Sequence, residues 1–394
     1  MEKLLKVGFI HAIDYAEWIS NIVPVSKHDK SIIVCTDFHD LNLACPKDDF
    51  PFPNIDMIVD MTTGYEMYSL MDGFFGYNQI KITSEDQEKK TFTCAWGTFC
   101  WNVMPFGLKN ADATYQRAVT TIFHDMMHKT MEDYVDDTLV KSAKRNTHLQ
   151  DLGPILDRMK KFSLRLNPKK CAFGVTSGKL LGYIVSAKGI EVDPEKVQAI
   201  MDMPPPRNIS QMRGLQGRLQ SICRFISQLA DRSQPFTKTL HKGVKYNWNQ
   251  DCEQSLTQIK QYLANPPILM PPIYGKPLIL YISVTDRSLR ILLAQEYNDN
   301  KERAIYYLSR TLISYEKNYN IIENACLVVV FASQKLRHYM LSHTTRLVAK
   351  IDPLKYLLSK ATLIGRLAKW VMILNEFDIH YIECKAIKGQ AIAN

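Results

Sequence analysis

None of the nine cysteines in this chain forms a Cys-x-x-Cys pair, and nine is an odd number. Both facts argue against zinc fingers and a disulfide framework and favour a reducing compartment. No apolar run approaches the roughly 18 residues that a membrane span needs, so no membrane partner is expected. Met1 is followed at once by Glu2-Lys3-Leu4-Leu5-Lys6, the start of an amphipathic helix rather than a secretory leader. The expected location is therefore intracellular. Internal repeats and low-complexity tracts are lacking, and the prolines act as boundary punctuation. Acids are the scarcer charge: 40 Asp and Glu against 49 Lys and Arg, a net +9 with a pI near 8.9. That excess suits a phosphate-backbone partner without requiring one. Hydrophobic residues at 46% exclude a wholly disordered chain. At roughly 150 residues per domain, 394 residues predict two or three folded units.

Apolar runs at Ile32–Cys35, Tyr68–Met71, Thr91–Cys94 and Leu139–Val140 have strand character, and helical patterns cover Ala111–Lys129 and His148–Phe162. A further strand is expected over Leu180–Ser186. Asp193-Pro194 reads as a helix opening, an N-cap acid followed by proline at the first helical position. That helix should stop before Pro204-Pro205-Pro206; a second runs from Ser210 toward Ala230, and a third covers Asp251–Leu263. Pro266-Pro267 and Pro271-Pro272 mark another boundary, after which Leu278–Ile282 reads as strand and Asn324–Met340 as helix.

The chemistry concentrates in Tyr134-Val135-Asp136-Asp137. An acidic pair in a turn is usually a solvated loop, but this pair sits inside an apolar, strand-forming run. Adjacent ionised carboxylates repel each other unless a cation is shared between them. The residue types suit hard divalent ions. A third acid, Asp72, lies in a similar apolar setting, Tyr68-Ser69-Leu70-Met71-Asp72-Gly73.

Five segments then occur in order: Cys35-Thr36-Asp37-Phe38-His39-Asp40-Leu41-Asn42, Lys47-Asp48-Asp49-Phe50-Pro51-Phe52-Pro53, Asp72 with Gly76-Tyr77-Asn78-Gln79-Ile80, Met104-Pro105-Phe106-Gly107-Leu108-Lys109-Asn110, and the Tyr134–Asp137 box. Together they resemble the polymerase of gypsy-type LTR retrotransposons, retrovirus-like reverse transcriptases. The resemblance continues to Lys385-Ala386-Ile387-Lys388-Gly389-Gln390-Ala391, in a last third similar to the RNase H domain that follows this polymerase. It implies an α/β (α+β) right-hand architecture: fingers and palm over 1–193, a mainly helical thumb and connection over 194–273, and a degenerate RNase H-like α/β domain over 274–394. No protease, integrase or zinc-knuckle motif is seen, so a partial polyprotein is expected, cytoplasmic and carried in virus-like particles.

By the resemblance, Asp72, Asp136 and Asp137 hold two Mg²⁺ ions, with Mn²⁺ as the alternative, and transfer a nucleotide from a dNTP to a primer 3′ end on an RNA or DNA template. Tyr77 places an aromatic ring under the incoming sugar and excludes a 2′-hydroxyl; Phe106, Gly107 and Gln116 contact nucleotide and template. Leu181, Gly182 and Tyr183 match the loop that steadies the primer end. Basic residues after the box and along the thumb (Lys141, Lys144, Arg145, Lys160, Lys161, Arg165, Lys169, Lys170, Arg213, Arg218, Arg224) would contact phosphates.

The chain also departs from the family. Ser31–Cys35 lacks the arginine expected to grip the triphosphate, which leaves Lys27 and Lys30 nearby, and His39 stands where arginine is usual. Asp112 replaces a favoured proline. In the last third, Ile282-Ser283-Val284-Thr285 puts serine at the first RNase H ligand, and Ala325 occupies the second. Asp286 and Glu323 face elsewhere by strand and helix geometry. Asp352 matches the third acid and Asn394 would stand at the fourth. One carboxylate of four predicts no RNase H activity. A catalytically inactive nucleic-acid-binding remnant is the rival reading.

Overall fold

A computed structural model describes residues 1–26, 32–73, 76–240, 246–359 and 365–383. The chain separates into two compact units, Met1–Leu181 and Gly182–Asn394. Helices and sheets are mixed throughout, the class expected from the sequence.

In the first unit the strands are β1 (Ile10–Ala12), β2 (Ile19–Ser26), β3 (Ile32–Thr36), β4 (Met67–Asp72), β5 (Thr91–Cys94), β6 (Gly97–Trp101), β7 (Met131–Tyr134), β8 (Asp137–Ser142), β9 (Ala172–Val175) and β10 (Ser177–Leu180). One sheet runs β1-β6-β5-β2-β3 and another β7-β8-β4-β9. The second sheet matters most here. Met71, Met131 and Val140 pack on one of its faces against Val119 and Phe123 of the helix Ala111–Phe123 and against Ile155 and Met159 of the helix His148–Lys161. Each such side chain, fully buried, stabilises the unit by about 1.5–3 kcal/mol. His148 ties the second helix to the strands through Ser69 Oγ at 2.7 Å and Ser142 Oγ at 2.9 Å. Lys141 and Glu132, both 1% exposed, pair at 2.8 Å.

The helix beginning at Ala111 ends at Phe123 rather than near Lys129. The chain turns there to enter β7: His128 takes a left-handed backbone (φ 63) and donates its N–H to Met131 O. The strand expected over 180–186 also breaks, because Leu181 (φ 50) and Gly182 (φ 81) adopt conformations no strand accommodates.

The second unit opens with the antiparallel hairpin β11 (Tyr183–Ser186) and β12 (Gly189–Val192). Asp193 caps the helix Pro194–Met201 by accepting the Glu195 N–H at 2.9 Å, with proline at the first turn, as its sequence implies. The next helix, Ile209–Gln220, stops well short of Ala230. Arg224 is the reason: it is buried, donates Nε to Ile305 O at 3.2 Å and lies over the Tyr306 ring, so the chain bends to deliver it. The helix Gln250–Leu263 agrees with its expected span. Strands β13 (Leu278–Val284), β14 (Ser288–Glu296), β15 (Glu302–Thr311), β16 (Thr345–Ala349) and β17 (Ile379–Glu383) form a sheet ordered β15-β14-β13-β16-β17. The helix Ile321–Lys335 buries Cys326, Val328, Val329 and Ala332 in the same core. It gives way at Leu336, which turns into that core, and Arg337–Ser342 forms a separate helix where one continuous helix was expected.

Candidate active site

Asp72 is the last residue of β4 and Asp137 the first of β8, and the antiparallel register makes them direct cross-strand partners. Tyr134 pairs with Asp137 across β7 and β8, leaving Val135 and Asp136 as a two-residue turn. Such turns need positive φ, which glycine or asparagine supplies readily. Here Val135 takes it (φ 53), a strained choice for a β-branched residue. Gln116, 1% exposed, holds the strained tip in place. Its Oε1 accepts the Val135 N–H at 2.6 Å and its Nε2 donates to Asp133 Oδ2 at 3.2 Å. Gln116 therefore braces the acidic hairpin.

The acids sit in a field of their own making. Burial, Asp72 and then Asp137 push the Asp136 carboxyl above the usual range; burial and Asp72 do the same to Asp137. Asp136 Oδ1 is buried with no hydrogen-bond partner among the described residues. A Cβ on Gly76 would lie 2.4 Å from that oxygen, so the carboxylate fits only because residue 76 has no side chain. Lys170 Nζ reaches Asp72 Oδ2 at 3.0 Å and lowers the proton affinity of Asp136 and Asp137. A deprived, oxygen-only cluster of this kind fits hard divalent cations. Among the described residues no trio of His, Cys, Asp and Glu is already gathered around one point. Bare carboxylates repel each other, and the lysine ammonium meets Asp72 instead.

Deeper in the hairpin lies Asp133, 1% exposed, which reasoning from sequence did not single out. Burial raises its carboxyl to about 7, against the opposing hydrogen bonds from Thr138 Oγ1 (2.6 Å) and Gln116. The Glu132-Asp133 pair inside the same apolar run was the signal available. Gly76 was visible as a motif member without a role, and Tyr115 and the Asp72 partner Lys170 only as an aromatic and one basic residue among many.

Tyr77 is 9% exposed and meets Phe106 edge-on at 5.1 Å between ring centres and Tyr115 at 5.6 Å. Gly107 forms its turn at φ 96, and its carbonyl accepts Asn42 Nδ2 at 2.8 Å. Asn42 Oδ1 also accepts the Lys109 N–H at 2.8 Å, so the last residue of the first motif clamps the fourth. Leu181 closes the first unit; Gly182 and Tyr183 open the second. There Lys196 Nζ lies over the Tyr183 ring at 5.4 Å, with Phe225 on the ring at 5.9 Å. Lys27, Lys30 and Asn394 fall outside the described residues.

The positions aligned with RNase H ligands look different. Ser283 pairs across β13 and β14 with Arg290, which donates Nε to Asp231 at 2.8 Å. Ala325 is buried in its helix. Asp352 caps the helix Pro353–Leu358, and one oxygen accepts both the Leu354 and Lys355 N–H groups at 3.0 Å. Glu323 pairs with Arg366 at 3.0 Å, and Asp286 is exposed between β13 and β14.

Comparison with known proteins bears on family and fold. Residues 25–185 match the family described as reverse transcriptase (RNA-dependent DNA polymerase), and residues 274–377 match the RNase H-like domain found in reverse transcriptase. The retrovirus-related Pol polyprotein from transposon opus of Drosophila melanogaster is 29% identical over 377 residues, 93% of this chain and 38% of that protein. The transposon Tf2-3 polyprotein of Schizosaccharomyces pombe is 26% identical over 365 residues, 90% of this chain and 27% of that protein. The chain thus spans well under half of these relatives. Among solved structures, the foamy viral protease-reverse transcriptase dRH in complex with double-stranded DNA has a TM-score of 0.87 at 19% identity, covering 97% of this chain and 68% of that one. The same viral enzyme with an RNA/DNA hybrid gives 0.84 at 19% identity, covering 98% and 52%. At that identity the likeness is one of fold.

Proposed function

We propose a function from the premise that this chain carries a reverse transcriptase domain followed by an RNase H-like domain, of the kind found in LTR-retrotransposon Pol polyproteins: it is an RNA-directed DNA polymerase that extends a primer 3′ end with dNTPs on an RNA or DNA template. One observation carries the reading. Asp72 and Asp137 face each other in register while a buried Asp136 oxygen beside them has no partner among the described residues.

Asp72, Asp136 and Asp137 would hold two Mg²⁺ or Mn²⁺ ions. Such ions, when bound, stabilise the attacking and leaving oxygens of an in-line displacement. For Asp72 to hold an ion, Lys170 Nζ, 3.0 Å from Asp72 Oδ2, would have to release that oxygen. Gln116 keeps the hairpin tip fixed, Tyr77 lies beneath the sugar with Phe106 beside it, and the Gly107 turn lies against template and nucleotide. Lys27 and Lys30 supply charge toward the triphosphate. Leu181, Gly182 and Tyr183 steady the primer end. Residues 1–193 serve as fingers and palm, 194–273 as thumb and connection, and 274–394 as the RNase H-like domain.

The RNase H-like domain is read as catalytically silent. Ser283 and Ala325 carry no carboxylate, Asp352 is committed to a helix cap, and Asn394 is neutral. Its part is packing and duplex contact. No described helix is long and apolar enough to cross a membrane; the proposed location is the cytoplasm, in virus-like particles. The second reading, a nucleic-acid-binding remnant without catalysis, draws on the missing triphosphate arginine and on His39.

Primer extension on an RNA template with Mg²⁺ separates the two readings. Asp136→Asn should cut incorporation by roughly 10²–10³-fold, because a carboxylate that would hold the ions is lost, while template binding persists. Equal binding with no extension by the unaltered chain would establish the remnant.

A further inference from the structure

Phe106 and Tyr115 meet the Tyr77 ring edge-on, contacts that fix its sides but not its tip. The third constraint has a direction. The Tyr77 hydroxyl donates to Asp112 Oδ1 at 2.6 Å. Asp112 lies in the first turn of the helix Ala111–Phe123, which also carries Tyr115 and Gln116. One rigid element therefore holds the ring's side, the ring's tip and the acidic hairpin. The phenol stays protonated far into the alkaline range through burial, the Asp112 bond and the charge of Asp136, so its proton remains available to that bond.

We propose that Asp112 is a positioning residue that locks the Tyr77 ring and thereby sets how strictly the site refuses a sugar bearing a 2′-hydroxyl. The proposal rests on the reading of Tyr77 as the ring beneath the sugar. Steric exclusion is only as strong as the resistance of the excluding group. A phenylalanine or an untethered tyrosine can tilt about its side-chain torsions at modest cost. A ring fastened at its far end by a charge-assisted hydrogen bond must first break that bond. Asp112 is itself exposed, so solvent weakens the tether. The expected effect is accordingly moderate, about three- to tenfold in deoxy-over-ribo selectivity.

The experiment compares the unaltered chain with Asp112→Ala, Asp112→Asn, Tyr77→Phe and the Tyr77→Phe/Asp112→Ala double variant. Selectivity is the ratio of dCTP to CTP incorporation on a primed template, a pair that differs in the 2′-hydroxyl alone. It is read again, without turnover, as the ratio of the two affinities for the primer–template complex with Ca²⁺ replacing Mg²⁺. Fluorine NMR of fluorotyrosine-labelled protein, with Tyr77 assigned through Tyr77→Phe, reports ring order in the free chain. Asp112→Ala should lower selectivity and shift and sharpen the Tyr77 resonance. Asp112→Asn, which keeps an acceptor, should restore both, and the double variant should be no worse than either single one. Selectivity and resonance unchanged in Asp112→Ala overturn the proposal, as does an unaltered chain that binds dCTP and CTP equally. A chain that binds dCTP selectively through Asp112 yet extends no primer counts against the polymerase reading and leaves this one standing.

Discussion

The acidic hairpin of the first unit and the ligand-aligned positions of the second face the same physical problem and resolve it in opposite ways. Around β4, β7 and β8 the chain tolerates strain and deprivation: a left-handed valine, an orphaned carboxylate oxygen, and carboxyls raised by burial and by one another. In the second unit the acids Asp352, at an aligned position, and Glu323, near one, have ordinary structural occupations. Asp352 caps a helix, Glu323 meets Arg366, and Arg290 beside Ser283 is engaged by Asp231. Unsatisfied groups persist where an external partner completes them, and satisfied groups accumulate where none does.

The largest test of this contrast lies in the buried pair behind the hairpin. Lys141→Met leaves Glu132 charged and almost wholly buried, with His128 Nδ1 at 2.9 Å the one remaining ionisable partner among the described residues. It should cost about 3–5 kcal/mol in urea unfolding, whereas Arg366→Met in the exposed Glu323 pair should cost less than about 1 kcal/mol. Equal costs would erase the distinction between the two units.

Asp133 sharpens it next. Its carboxyl titrates near 7 in the folded chain, so between the ordinary carboxylate range and about 7 the folded state keeps a proton that the unfolded state has released. Stability therefore falls as pH rises through that window and levels off above it, by up to about 4 kcal/mol. Denaturant midpoints measured across the window should show the decline, and Asp133→Asn should flatten it. A slope that survives the substitution would assign the effect to Asp136 and Asp137 instead.

Gly76→Ala should be milder for stability, about 1–3 kcal/mol of overpacking, yet more damaging to extension than to melting temperature, because the new methyl displaces the Asp136 carboxylate. Loss of stability with full activity would mean that the oxygen at 2.4 Å has no functional station there. The smallest effect belongs to the second unit: Asp352→Ala should cost about 1 kcal/mol, the worth of a helix cap, without changing Mg²⁺ binding measured by calorimetry. A change in metal affinity would restore Asp352 as a ligand.

Much of this was legible in the residues themselves. The Asp193-Pro194 cap, the hairpin bearing the paired aspartates and the helix from Gln250 follow from short-range chemistry, and they appear where that chemistry puts them. Illegible were the helix broken near Gln220 by an arginine anchored 81 residues away, and the strand interrupted at Leu181 and Gly182. Periodicity describes which face is apolar. It carries no information about a long-range anchor that overrides helix continuity.

The sequence by itself determined the order of elements, their caps and turns, and the kind of residue offered at each motif, because those depend on neighbours within a few positions. Only the tertiary structure decided that Gln116 holds the hairpin tip from 19 residues away, that Lys170 reaches Asp72 across 98, and that Asp112 fastens Tyr77 across 35. Such pairings arise when packed elements bring distant side chains within hydrogen-bonding reach, and no local preference encodes which of many lysines or acids will arrive.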